Sequence, residues 1–97
     1  MIKTFASKET KKLFQRIGSR KLPTDIQRIA SRKLNVLDAA DHLSDLRVPP
    51  SNHLEKLSGK RSGKRSGQHS IRINDQWRIC FTWDKGNAYN VEIVDYH

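Results

Sequence analysis

A chain of 97 residues can enclose one modest core, so any site must share it, and residues 1–97 read as a single domain. Hydrophobic residues make up 35% of the composition and charged ones 30%, a globular balance with little apolar surplus and no apolar run long enough to span a bilayer. Lys and Arg number 19 against 10 acids, and the formal charge of +9 favours a polyanionic partner without choosing among RNA, DNA, an acidic protein or an anionic surface.

The charge is unevenly spread: residues 1–37 and 56–78 are basic, whereas 38–55 and 79–97 are net acidic. Two basic blocks therefore flank an acidic stretch, and folded side by side they would make one anion-binding surface. The single cysteine, Cys80, rules out an intrachain disulfide and reads as a buried thiol within Ile79–Phe81. Met1–Thr10 is charged and lacks the apolar segment of a secretory leader, so the expected compartment is the cytoplasm.

In chain order, Ile2–Ala6 has the character of a short first strand, and Ser7 can cap a helix carrying Leu13, Phe14 and Ile17 on one stripe. Gly18–Lys21 ends that helix. Thr24 and Gln27 have capping-box spacing, and Ile26, Ile29, Ala30, Leu34, Leu37 and Ala40 then recur at helical intervals, predicting a second helix of about five turns. Pro49-Pro50 sets its latest end, and His42 is expected in its C-terminal turn.

The tandem Ser58-Gly59-Lys60-Arg61 and Ser62-Gly63-Lys64-Arg65, followed by Ser66-Gly67, predicts a flexible basic loop over 58–67. Lys60, Arg61, Lys64 and Arg65 are its candidate phosphate contacts, each adding salt-dependent affinity; the alternative is a merely solvated linker. From Gln68 the period becomes two: His69, Ile71 and Ile73 form one strand, and Trp77, Ile79, Phe81 and Trp83 the next, joined by a turn at Asn74-Asp75-Gln76. A turn at Asp84–Asn87 leads to a last strand with Tyr89, Val91 and Ile93 inward. The expected fold class is α+β, two N-terminal helices packed on one face of a small, mainly antiparallel sheet. The other face is expected to be open and basic.

Cys-x-x-Cys and His-x-x-x-His spacings are both missing from the sequence, so no metal site and no cofactor are expected. His69 opens a strand beside the basic loop, where it could support RNA contact, but it reads first as structural. His53 follows the double proline and His97 ends the chain, and both could be ordinary loop and terminal residues. Their company argues otherwise. Imidazoles, a carboxylate, a phenol, Lys56, Arg72 and Arg78 are together the parts needed to cut RNA without a metal. The 2′-hydroxyl needs a base, the departing 5′-oxygen needs an acid, and the crowded phosphate needs fixed cations. Arg72 and Arg78 are out of phase with the apolar residues of their strands, which predicts that both project from the open face toward a phosphodiester.

Several segments carry a resemblance: Leu37-Asp38-Ala39-Ala40, Asp45-Leu46-Arg47, Pro49-Pro50-Ser51-Asn52, Leu54-Glu55-Lys56-Leu57-Ser58-Gly59, the run from Ser70 to Phe81, and the ending Val91-Glu92-Ile93-Val94-Asp95-Tyr96-His97. Together they cover practically the whole chain, which resembles the HigB (host inhibition of growth) branch of the RelE/ParE toxin superfamily. The resemblance implies a RelE-like fold and a ribosome-dependent ribonuclease that cuts messenger RNA. It also implies a helix-turn-helix antitoxin as partner, operator DNA reached only through that complex, and no membrane association. Carried over by motif, it makes His53, Lys56, Arg78, Asp95, Tyr96 and His97 the catalytic set, with Arg72 as a further RNA contact. One Ser-Gly-Lys-Arg unit looks duplicated relative to the family, lengthening the loop by four residues. The rival readings are the superfamily's gyrase-poisoning branch and a non-catalytic nucleic-acid-binding module.

Overall fold

The computed structural model describes residues 1–57 and 67–96. The predicted loop contacts Lys60, Arg61, Lys64 and Arg65, and the terminal His97, lie outside the described residues. The element order is α1 (Lys8–Phe14), α2 (Thr24–Ala39), two 3-10 turns (Leu43–Arg47 and Pro50–Asn52), β1 (Glu55–Lys56), β2 (His69–Arg72), β3 (Trp77–Asp84) and β4 (Asn87–Asp95). The strands form an antiparallel sheet in the order β1-β2-β3-β4.

Ser7 caps α1 as expected, its hydroxyl accepting the Thr10 amide. The helix is shorter than the sequence suggests: Arg16 takes a left-handed φ of 64°, and Ile17 lies beyond the helix, 69% exposed. Thr10 is fully buried, and its hydroxyl accepts the Ile93 amide at 3.0 Å, tying α1 to β4. In α2 the 16 residues bury Ile26, Ala30, Leu34 and Leu37 on one stripe, while Ile29 sits at its exposed margin. The Thr24/Gln27 capping box does not form. Pro23 holds the cap position, and the Gln27 amide instead donates to the Ser19 and Leu22 carbonyls at 2.6 and 2.9 Å, closing the loop from α1. His42 is also placed differently, since it caps the first 3-10 turn in a reciprocal pairing with Asp45 rather than ending α2.

Both helices cover the sheet face that presents Ile71, Ile73, Ile79, Phe81, Val91 and Ile93, and Leu46 of the first 3-10 turn completes the core. The N-terminal segment does not build a regular strand. Ile2 and Phe5 make isolated parallel bridges to Ala88 and Val91, because Asn90 turns to φ 53° and donates its amide to the Thr4 hydroxyl instead of a main-chain carbonyl. The same irregularity shifts the β3–β4 register between Cys80 and Thr82, giving β4 one extra residue there. The phase therefore slips, and Ala88 rather than Tyr89 joins Val91 and Ile93 in the core.

The opposite face is less open than the alternation predicts. Ser70 and Cys80 are fully buried on it, and Arg78 is only 8% exposed. Among the described residues, no helix is long and apolar enough to cross a membrane.

Candidate active site

The stretch between α2 and β1 positions the first half of the site. Asn52, fully buried, donates its side-chain amide to the Leu46 and Val48 carbonyls at 3.1 and 3.3 Å, and its oxygen accepts the Lys33 ammonium of α2. Burial, with a smaller contribution from Arg32, lowers the Lys33 pKa from its ordinary value. This clamp locks the second 3-10 turn against α2, and His53 leaves it in the left-handed region at φ 43°, ψ 55°. That turn reverses the chain into β1 and leaves the His53 ring exposed.

Arg78 then holds the His53 turn to the sheet. Its Nε donates to the Ser70 hydroxyl at 2.8 Å, and a terminal nitrogen donates to the His53 carbonyl at 2.5 Å. The same guanidinium lies 3.4 Å from the half-exposed Glu55 carboxylate and 5.8 Å from the centre of the Tyr96 ring. Arg78 thus lies on the predicted face, but it is sunk among protein partners rather than projecting freely. Arg72, its cross-strand neighbour, is ion-paired with Asp75 at the tip of the β2–β3 hairpin, and with Arg32 and Lys33 it borders a separate shallow depression of about 290 Å³.

A concavity of about 660 Å³ opens beside β1 and β2, lined in part by Arg47, His53, Glu55, Lys56 and His69. Lys56 and His69 are direct cross-strand partners on its wall. The His69 ring stacks on Phe81 with centroids 6.2 Å apart, and desolvation, followed by the nearby Lys56 charge, lowers its pKa from the ordinary imidazole value.

The predicted residues thus fall into two linked groups. Lys56 and His53 share the concavity, while Arg78 and Tyr96 meet on the other side of the His53 turn. Asp95 pairs with Trp77, and its carboxylate accepts the Gln76 amide at 3.0 Å; the next residue, Tyr96, is held by its own amide on the Gln76 carbonyl. Arg47 and Glu55 were not foreseen as part of this region, whereas His69 was a candidate RNA contact beside the basic loop. The register of His69 opposite Phe81 follows from the hairpin turn. No three His, Cys, Asp or Glu side chains among the described residues are grouped so as to hold a metal.

Comparison with known proteins agrees with this architecture. Residues 3–97 match the family described as RelE-like toxin of type II toxin-antitoxin system HigB. The chain is 45% identical over 71 residues to Toxin HigB-1 of Vibrio cholerae serotype O1, covering 73% of this chain and 70% of the relative. It is 35% identical over 98 residues to Endoribonuclease HigB of Proteus vulgaris, covering all of both chains. Among solved structures, a heterotetrameric YoeB-YefM toxin-antitoxin complex from Staphylococcus aureus contains a chain with the same fold, at a TM-score of 0.57 and 20% identity over 100% of this chain and 98% of that one. With the matching segments spread along nearly its whole length and the helix-on-sheet layers in place, this chain belongs to the HigB family of RelE-like toxins of type II toxin-antitoxin systems.

Proposed function

We propose that the protein is an endoribonuclease that cuts messenger RNA on the translating ribosome. The observation that carries this reading is the concavity holding His53 and Lys56 together, joined through the His53 carbonyl to Arg78 and Tyr96. The relative named as an endoribonuclease aligns over the whole chain and supports the same reading.

In the proposed reaction, the RNA 2′-oxygen attacks the adjacent phosphorus and its proton passes to a base on the protein. The bond from phosphorus to the 5′-oxygen breaks, and an acid delivers a proton to that oxygen, leaving a 2′,3′-cyclic phosphate and a 5′-hydroxyl. His53 is suited to the base role by its exposed ring, Lys56 to charge stabilisation at the phosphate, and Tyr96 and His97 to the leaving-group side. Asp95 and His97 enter on the family resemblance, as do Lys60, Arg61, Lys64 and Arg65 as loop contacts to RNA. Arg72 can contribute to the same field once its exposed pairing with Asp75 opens. The proposed partners are the ribosome with its messenger and a helix-turn-helix antitoxin, which would bring the toxin to operator DNA.

Primer extension on a translated reporter after brief induction tests this. New 5′ ends within the reading frame are expected, and they should fall to background in Lys56→Ala and His97→Gln. Intact messenger together with gyrase-trapped DNA breaks would overturn the proposal.

A further inference from the structure

His69 has no part in the catalytic set that the resemblance implies, yet it occupies the wall of the same concavity. Its Nδ1 is buried with no hydrogen-bond partner among the described residues. Protonating the ring would put an N–H on the buried Nδ1 without an acceptor, which favours the neutral ring, as its lowered pKa also indicates. A neutral ring that leaves the buried Nδ1 bare carries its hydrogen on Nε2, the nitrogen left to face the concavity. Stacking on Phe81 fixes the ring plane.

The neighbours complete the arrangement. Lys56 is the direct cross-strand partner of His69, which places their Cβ atoms about 5 Å apart on one face of the sheet. Arg47, from the first 3-10 turn, and His53 line the same concavity. Among the described residues its one lining carboxylate, Glu55, alternates to the other face of β1, where it lies against Arg78. A flexible ammonium and a rigid neutral N–H donor, side by side with no acid between them, are matched to two oxygens of one phosphate.

We propose that Lys56 and His69 form a phosphodiester subsite in which Lys56 supplies the charge and His69 donates one directed hydrogen bond to a non-bridging phosphate oxygen. The identification of the ligand as RNA rests on the cleavage reading; the oxyanion chemistry does not.

Because a bound anion favours imidazolium, binding must raise the His69 titration midpoint. The experiment follows the ring of His69 by NMR in the full-length protein, identified by its loss in His69→Phe, with an all-2′-deoxy oligonucleotide as a probe that lacks the nucleophile. The midpoint should rise on saturation with oligonucleotide, and a smaller rise with inorganic phosphate would support the same chemistry. Lys56→Ala should raise the midpoint in the free protein and diminish the further rise on binding. His69→Phe, which keeps an aromatic ring against Phe81, should weaken oligonucleotide binding about tenfold, and His69→Gln, which restores a donor, should recover most of the loss. A midpoint unmoved at saturation, or wild-type affinity in both His69 variants, would overturn the subsite. If the midpoint moves but messengers stay intact in cells, the subsite stands and the cleavage reading falls; in-frame cleavage with an unmoved midpoint leaves the cleavage reading standing and removes the subsite.

Discussion

Replacing Arg78 with Met separates a structural tie from a free phosphate contact. The guanidinium satisfies the fully buried Ser70 hydroxyl and the His53 carbonyl, and Met of similar length leaves both without their donor. An unsatisfied buried group costs about 1–3 kcal/mol, and because the His53 carbonyl is only partly buried the two together predict a loss of about 2–4 kcal/mol. The Glu55 pairing adds little, because that carboxylate is half exposed to water. A chain of this size is stable by about 5–15 kcal/mol, so the variant should remain folded but with a visibly shifted transition. Arg78→Lys keeps one charged donor but not the planar fork and should fall between the two, at about 1–2 kcal/mol. Urea unfolding followed by the fluorescence of Trp77 and Trp83 measures both. A loss below about 0.5 kcal/mol in Arg78→Met would refute the reasoning and return Arg78 to the role of an open cation.

The clamp at Asn52 makes a related prediction: Asn52→Ala should cost about 1–3 kcal/mol in urea unfolding, because the Lys33 ammonium and the Leu46 carbonyl lose their buried partner. Phe81→Ala, which empties a fully buried position between His69 and Trp83, should cost about 3–5 kcal/mol by the same assay. For His69, the depressed pKa means that the folded state binds fewer protons than the unfolded chain. Its contribution is therefore full above the ordinary histidine value of about 6.5 and is lost as the pH falls through the window between that value and its lower folded one. Unfolding of wild type and His69→Phe compared from pH 7.5 to 5 should show the wild type losing stability faster on acidification, and parallel curves would contradict the assignment. Ser7→Ala should lower stability by about 1 kcal/mol through loss of the cap on the Thr10 amide, measured by thermal unfolding.

Local pattern alone determined the frame of this protein. The helical stripe from Ile26 to Leu37, the cap at Ser7, the hairpin turn at Asn74-Asp75-Gln76 and the alternation from His69 to Phe81 each follow from side chains within a few residues of one another, and each is present in the fold. Burial of one face is a property of such periodicity, so the α+β layers were legible before any long-range contact was known. The local signals failed where distant groups compete for the same atoms. Gln27 left its capping box to close the α1–α2 loop, and Asn90 spent its amide on Thr4, shifting the phase of β4 so that Ala88 replaced Tyr89 in the core. The same distinction runs through the site. The family resemblance grouped His53, Lys56, Arg78 and Tyr96, but alternation could say only which face Arg78 occupies. Whether it meets water or protein depended on the His53 turn, clamped from α2 through Lys33 and Asn52 and folded back over the sheet. The pairing of Lys56 with His69 was likewise invisible to any local rule, because it exists only through the β1–β2 register: cross-strand contact is set by the closure of the sheet, and closure depends on the whole core.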